Sequence, residues 1–234
     1  MTTHILLTGA SRGIGAAIAT AFDADPGVRI ACQSTSGDLA ADFADPAAPA
    51  DLWARALDRL DGRIDVLVNN AGVFEDSPLD ADHADWVAAW ERTMRINLTA
   101  SAELCRLAVR HWQQSGREGR IVNIASRAAY RGDSPAHWHY AASKAGMVGM
   151  TKTIARGYAR EGILAFAICP GFTMTGMAED YLASRGGDKL LADIPLGRVA
   201  DPQEIATMAR FCAIEAPASM TGAVLDANGA SYVR

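Results

Sequence analysis

Long apolar runs are missing from this chain, and so is any excess of positive charge. No stretch approaches the roughly 18 apolar residues that a membrane span requires. The formal net charge is -5, whereas nucleic-acid binders carry a basic surface. Membrane-spanning and nucleic-acid-binding classes are therefore set aside as partners. Cysteine is scarce: Cys32, Cys105, Cys169 and Cys212 are the only four, far apart and without a Cys-x-x-Cys pair. That excludes a disulfide framework, and because each lies in an apolar stretch all four are read as buried free thiols. His137 and His139 have no third ligand at useful spacing, so no metal is expected. The start of the chain runs straight into His4-Ile5-Leu6-Leu7 and lacks the layout of a secretory leader; a cytoplasmic protein is expected. Repeats and low-complexity linkers are absent as well. Asp45-Pro46-Ala47-Ala48-Pro49 comes nearest to a linker and is read as a loop into a helix over 51–60, which leaves residues 1–234 as a single domain.

What is present is alternation. Short continuous apolar runs at 5–8, 28–32, 66–69, 120–125, 164–169 and 224–226 are separated by longer segments of helical periodicity. One helical stripe is read through Leu98, Ala102, Cys105, Ala108, Val109 and Trp112. Strands without polar alternation are covered on both faces. Strands that alternate with helices make a parallel sheet between helical layers. The fold class is thus α/β, a doubly wound sheet of Rossmann type.

The first strand leads into Thr8-Gly9-Ala10-Ser11-Arg12-Gly13-Ile14-Gly15 and an alanine-rich helical run. Glycines at a strand-to-helix turn let backbone approach a phosphate, and the helix N-terminus offers free N–H groups with partial positive charge. A nucleotide turn is the reading.

Tyr140 and Lys144 stand four apart, on one face if the segment is helical. A cation near a phenol favours the phenolate and lowers its pKa from about 10. Reaching about 7 takes roughly 4 kcal/mol, more than one lysine supplies at a solvated site. A second positive charge is required, and an oxidised nicotinamide ring would provide it.

These residues together resemble the short-chain dehydrogenase/reductases. Thr8-Gly9-x-x-x-Gly13-x-Gly15 is similar to that family's cofactor turn. Asn69-Asn70-Ala71-Gly72 is similar to its segment after the fourth strand, and Pro170-Gly171-Phe172-Thr173-Met174-Thr175 to the segment over the nicotinamide. Asn97, Ser126, Tyr140 and Lys144 fall in the order of its catalytic set. The resemblance covers essentially the whole chain and implies a three-layer α/β/α fold with a seven-stranded parallel sheet. It implies Tyr140 as acid/base, Lys144 as its modulator and ribose ligand, Ser126 as donor to the substrate oxygen, and Asn97 as holder of a helix irregularity and a water. It further implies cofactor contacts from Gly9, Ser11, Arg12, Gly13, Ile14, Gly15, Asn70, Ala71, Gly72, Tyr140, Lys144, Pro170, Gly171 and Thr173, and from Asp42 beside the adenine. Family members form dimers or tetramers through the helices that correspond to 98–112 and 140–160, so a homotetramer, or else a homodimer, is expected. The chain departs from the pattern between its second and third strands, where 33–38 is too short for a crossover helix, and the third strand is expected to be reached by a loop or to be poorly formed.

Charge bears on the cofactor. An acid at the end of the second strand would bond the ribose hydroxyls of NAD. Here Cys32-Gln33-Ser34-Thr35-Ser36 stands there, with no acid before Asp38. Arg12, Ser34 and Thr35 can meet a 2′-phosphate, which favours NADP(H) and leaves NAD(H) as the alternative. The substrate is read as a small carbonyl or alcohol, flanked by Phe74, Arg127, Tyr130, Arg131, His137, Trp138, His139 and Phe172, under a lid formed by 174–196 with its Gly186-Gly187 pair. The activity expected is that of a ketoreductase or alcohol dehydrogenase, with the scaffold nearest the 3-oxoacyl-[acyl-carrier-protein] reductase type. A non-catalytic nicotinamide sensor, and an isomerase or dehydratase on the same scaffold, are the alternatives.

Overall fold

A computed structural model describes residues 2–175 and 191–234. Seven parallel strands form one sheet: β1 Thr3–Leu7, β2 Val28–Ser34, β3 Leu39–Ala40, β4 Val66–Asn69, β5 Gly119–Ile124, β6 Ile163–Pro170 and β7 Val224–Ala227, in the spatial order β3-β2-β1-β4-β5-β6-β7. The helices are α1 Gly13–Asp23, α2 Ala48–Arg59, α3 His83–Met94, α4 Ala100–Ser115, α5 Ala128–Arg131, α6 Trp138–Tyr158 and, past residue 191, α7 Pro202–Arg210.

Successive strand residues point to opposite faces, and each face is apolar. Leu6, Leu67, Ile121 and Ala165 pack with Leu52 of α2, Leu104 and Trp112 of α4, and Ile154 of α6. Ile5, Leu7, Val66, Val68, Val122 and Phe166 pack with Ile18 and Phe22 of α1 and Ile205 and Ala209 of α7. The result is the expected three-layer fold.

The β2–β3 connection departs from the usual plan. A parallel neighbour needs a long crossover when the chain must travel back along the sheet. Here β3 pairs only at the tip of β2, with Gln33 level with Leu39 and Ser34 with Ala40. No return run is needed, and residues 35–38 turn the chain, helped by Gly37 at φ 99°. The same shortening corrects the reading of Cys32. It lies on the α1 side of β2, where no crossover helix covers it, and is exposed, while the other three thiols are buried.

Two helices begin or run differently from expectation. Helix α2 starts at Ala48, inside the segment read as a loop, because Pro49 is tolerated in a first helical turn. The buried stripe around α4 runs through Asn97, Ala100, Ser101, Leu104, Cys105, Ala108, Val109 and Trp112; Leu98 and Ala102 are partly exposed. Residues Arg95–Thr99 form a π-helical turn that carries Asn97 inward, and Leu98 instead faces α6 at Gly146.

A buried polar chain crosses the sheet beneath the site. Asn69 of β4 donates to Asn123 Oδ1 of β5 at 2.8 Å, Asn123 donates to Thr151 Oγ1 of α6 at 2.8 Å, and Thr151 donates to the Met147 carbonyl at 2.8 Å. Among the described residues no helix is long and apolar enough to cross a membrane.

Candidate active site

Strand order reverses between β1 and β4, and ligands of open α/β sheets bind at the carboxyl ends of strands beside such a reversal. The glycine turn follows β1 there and Asn70-Ala71-Gly72 follows β4. They are sewn together. Thr8 Oγ1 accepts from the backbone N–H of Asn70 at 3.0 Å and of Ala71 at 3.1 Å. Asn70 Nδ2 donates to the carbonyls of Thr8 and Gly9 at 3.1 and 2.9 Å. Gly9 and Gly13 sit at φ 68° and 54°, a region that favours glycine. A Cβ on Gly15 would run into the Gly9 carbonyl and lie 2.5 Å from Asn70 Nδ2. Gly15→Ala is therefore expected to cost about 1–3 kcal/mol of stability and to weaken dinucleotide binding, measured by thermal melting and by fluorescence titration.

Helix α1 has no side-chain cap; its N-cap is Arg12, with an extended backbone. Its first N–H groups lack intrahelical acceptors, and Ser11 and Arg12 are exposed beside them. This uncapped N-terminus, in a turn whose Cβ atoms are absent where backbone must come close, fits a dinucleotide pyrophosphate. Gly13 is covered by Thr175, whose Cγ2 would lie 2.8 Å from an added Cβ. Ser34, partly exposed, is tied to the Ser36 carbonyl, and Thr35 is exposed. Asp42 is exposed and accepts from the Ala44 N–H at 2.9 Å. Gly171 fits against Asn228, and buried Thr173 donates to the Gly171 carbonyl at 3.2 Å.

Gln33 went unread in the sequence. It is buried, accepts from the Gly9 N–H at 2.8 Å and donates to the Ala41 carbonyl at 2.7 Å. One amide thereby ties the glycine turn to the short third strand. A polar residue at an inward-facing strand position was the available signal.

On the other side of the reversal, α6 carries Tyr140 and Lys144 on one face. Ser126, just past the end of β5, lies close enough to the Tyr140 phenol to favour its ionised form and accepts from the Ala128 N–H at 3.1 Å. Lys144 Nζ donates to the Ile124 carbonyl at 2.9 Å and lies 5.8 Å from the Tyr140 ring centroid. Asn97 clamps the backbone of Val73, accepting its N–H at 2.8 Å and donating to its carbonyl at 3.0 Å, and also donates to Ser143 Oγ at 3.3 Å. Gly72 brings these groups near one another: a Cβ there would lie 3.3 Å from Asn97 Oδ1 and 3.6 Å from Lys144 Nζ.

Burial dominates the electrostatics. It pushes the Tyr140 phenol up to about 12, against the lowering by Ser126. Burial likewise pushes the Lys144 ammonium down to about 8. The lysine alone does not make this phenol acidic, which corrects the starting point of about 10 taken from the sequence.

Phe74 meets the Tyr140 ring edge-on at 4.8 Å and stacks on His137 at 3.8 Å. His137 is held between Ser134 Oγ at 2.7 Å and Asp76 Oδ1 at 3.0 Å. Arg127 places its guanidinium 4.8 Å from the Phe172 ring centroid. His139 is buried, its ring centroid 6.3 Å from that of His137. Two other residues read as flanking the site are not brought to it. Trp138 turns outward against Trp86 of α3. Tyr130 packs with Tyr232 and Arg234 of the C-terminal segment. Of the expected lid, 176–190 with Gly186-Gly187 lie outside the described residues. Among the described residues no cluster of His, Cys, Asp or Glu is placed to hold a metal.

Residues 3–186 match the family model described as short chain dehydrogenase. The chain belongs to the short-chain dehydrogenase/reductase family. It is 34% identical over 243 residues to a 3-oxoacyl-[acyl-carrier-protein] reductase of Vibrio cholerae, covering 97% of this chain and 96% of that one. It is 35% identical over 247 residues to a D-threitol dehydrogenase of Mycolicibacterium smegmatis, covering 98% and 92%. A crystal structure from Agrobacterium tumefaciens, provisionally described as a 2-deoxy-d-gluconate 3-dehydrogenase with bound NADP, superposes with a TM-score of 0.87 at 31% identity, covering 99% of this chain and 97% of that one. As a family member the protein is a nicotinamide-dependent oxidoreductase acting on small carbonyl or alcohol substrates.

Proposed function

We propose that the protein interconverts a ketone and a secondary alcohol with NADP(H), with Tyr140 as the proton donor and acceptor. The observation that carries this reading is the meeting of Ser126, Tyr140, Lys144 and Asn97 beside the glycine turn. The bound nicotinamide supplies or receives the hydride. Tyr140 Oη delivers the proton to the substrate oxygen in reduction and removes it in oxidation. Ser126 Oγ donates to that oxygen as charge develops on it. Lys144 holds positive charge beneath the phenol and reaches the ribose side of the site. Asn97 fixes the Val73 backbone and Ser143, and with them the spacing between the β4 loop and α6.

The choice of NADP(H) is supported by the lack of an acid at the tip of β2, by exposed Arg12 at the α1 N-terminus, and by the dinucleotide in the Agrobacterium tumefaciens structure. Titration of NADPH and NADH at one salt concentration is expected to show tighter NADPH binding by about tenfold or more, with Arg12→Ala removing most of the difference, as loss of a charge-assisted phosphate contact implies. Equal affinities would overturn the preference for NADP(H).

Residues 1–234 act in this reading as a single domain, in the cytoplasm. The assembly proposed is a homotetramer, with a homodimer as the second choice, through α4 and α6. Ala141, Ala145 and Gly149 leave a partly exposed row of small residues along α6, which suits close approach of a second helix.

A further inference from the structure

We infer that Arg127 and Arg131 form a subsite for a carboxylate on the substrate, and that Asp193 of the same chain stands in for that carboxylate. The inference rests on the carbonyl-reductase reading above and names the class of substrate: an oxo acid rather than a neutral ketone.

Contacts with Pro170 and Phe172 place Arg127 against the segment that follows β6, and Arg131 shares its acid. Arg127 directly follows Ser126, its backbone N–H donates to the Pro170 carbonyl at 2.9 Å, and its guanidinium lies against Phe172. Arg131 ends the single turn of α5, four residues on and so on the same side of that turn. Among the described residues, one acid lies within 4 Å of both. Asp193 Oδ2 is 2.7 Å from Arg131 Nη1 and 3.7 Å from Arg127 Nη1. Ser231 adds its hydroxyl to Arg127 and its carbonyl to Arg131, the latter at 3.3 Å. Among the described residues, Nε and Nη2 of both guanidinium groups have no hydrogen-bond partner.

Among the described residues the pairing of these charges is incomplete. Arg127 is 9% exposed, and a buried cation is costly unless it is closely paired. Its acid is too distant for a hydrogen bond and is shared with a second cation. A further anion would relieve both, and a guanidinium fork matches a carboxylate with two parallel bonds. Asp193 shows that a carboxylate fits between the two. It is itself half exposed, at 49% of its side chain, and sits beside buried Ile194, which anchors the segment while leaving the acid free to swing aside.

The test uses the full chain saturated with NADP+, so that ketones bind without turnover. A series of 2-, 3- and 4-oxo acids, each beside its methyl ester, is titrated by calorimetry. The best acid is expected to bind at least tenfold more tightly than its ester. Arg131→Gln is expected to abolish that preference and Arg131→Lys to restore part of it. Asp193→Asn is expected to tighten acid binding several-fold, because the internal competitor is gone, while leaving the ester unmoved. If no acid exceeds its ester, or if Arg131→Gln and Asp193→Asn both weaken acid and ester alike, the pair is a structural ion bridge and the inference is overturned. NADPH oxidation with the esters reports separately on carbonyl reduction, so that failure there would not be confused with failure of the subsite.

Discussion

Tyr140→Phe is expected to lower kcat by about 10²–10⁴, the range that a positioned proton donor contributes, while dinucleotide affinity and the melting temperature stay close to those of the parent. The substitution deletes one oxygen from a phenol whose ring packing against Phe74 is retained. The structure also states what the phenol must overcome. At about 12, bringing it to about 7 requires on the order of 7 kcal/mol of differential stabilisation, not the roughly 4 expected from a solvated tyrosine. Lys144 does not provide it unaided, so the remainder has to come with the ligands. A difference titration of tyrosinate absorbance, parent minus Tyr140→Phe, is expected to place the midpoint of this ionisation near pH 12 in the free protein. With NADP+ present the ionisation is expected well below pH 10. A Tyr140→Phe enzyme with undiminished kcat would remove the residue from the mechanism.

The second large effect concerns Lys144, and its sign is opposite for function and for stability. The lysine is nearly fully buried, at 4% exposure, with the Ile124 carbonyl as its hydrogen-bond acceptor. Burial lowers its pKa from 10.5 to about 8, so at neutral pH the folded state carries a charge it would rather lose. Lys144→Met is expected to stabilise the free protein at pH 7 by up to about 3 kcal/mol, several degrees in melting temperature, while lowering kcat/KM by two or more orders of magnitude. Between about pH 8 and 10.5 the unfolded chain keeps a proton that the folded chain has released. Raising pH through that window therefore stabilises the parent fold. Melting curves from pH 7 to 9.5 should show this gain in the parent and not in Lys144→Met. A variant that melts lower at pH 7 would mean that the ammonium is net stabilising where it sits.

Much of the frame could be read from residue pattern because the strands are buried on both faces. Continuous runs such as Val66–Asn69 carry a clear signal, and helices with one buried face carry another. The third strand could not be read the same way, since two paired residues leave no pattern. Cys32 was misjudged for a related reason. Its apolar neighbours imply cover, but cover depends on a crossover helix that this chain omits. At the site, Tyr140 and Lys144 were legible from spacing and Ser126 and Asn97 only from their order relative to them. Gln33 and Asp193 act through partners distant in sequence, Gly9 and Arg131, and no local pattern announces either. Trp138 and Tyr130 were placed near the site by proximity along the chain, but a helix sends neighbouring side chains in different directions.

The chain of amide and hydroxyl bonds from Asn69 through Asn123 to Thr151 has a mechanical meaning. Greasy contacts alone would let a long helix screw along its neighbours, since one hydrocarbon surface serves nearly as well as the next. Directional bonds do not slide. A shift of α6 by a single residue would move Thr151 by about 1.5 Å and turn it through about 100°, stranding Asn123 without its acceptor in a dry interior. The ladder thus works as an index pin, set some three helical turns from Tyr140, that holds the angle at which the phenol is aimed.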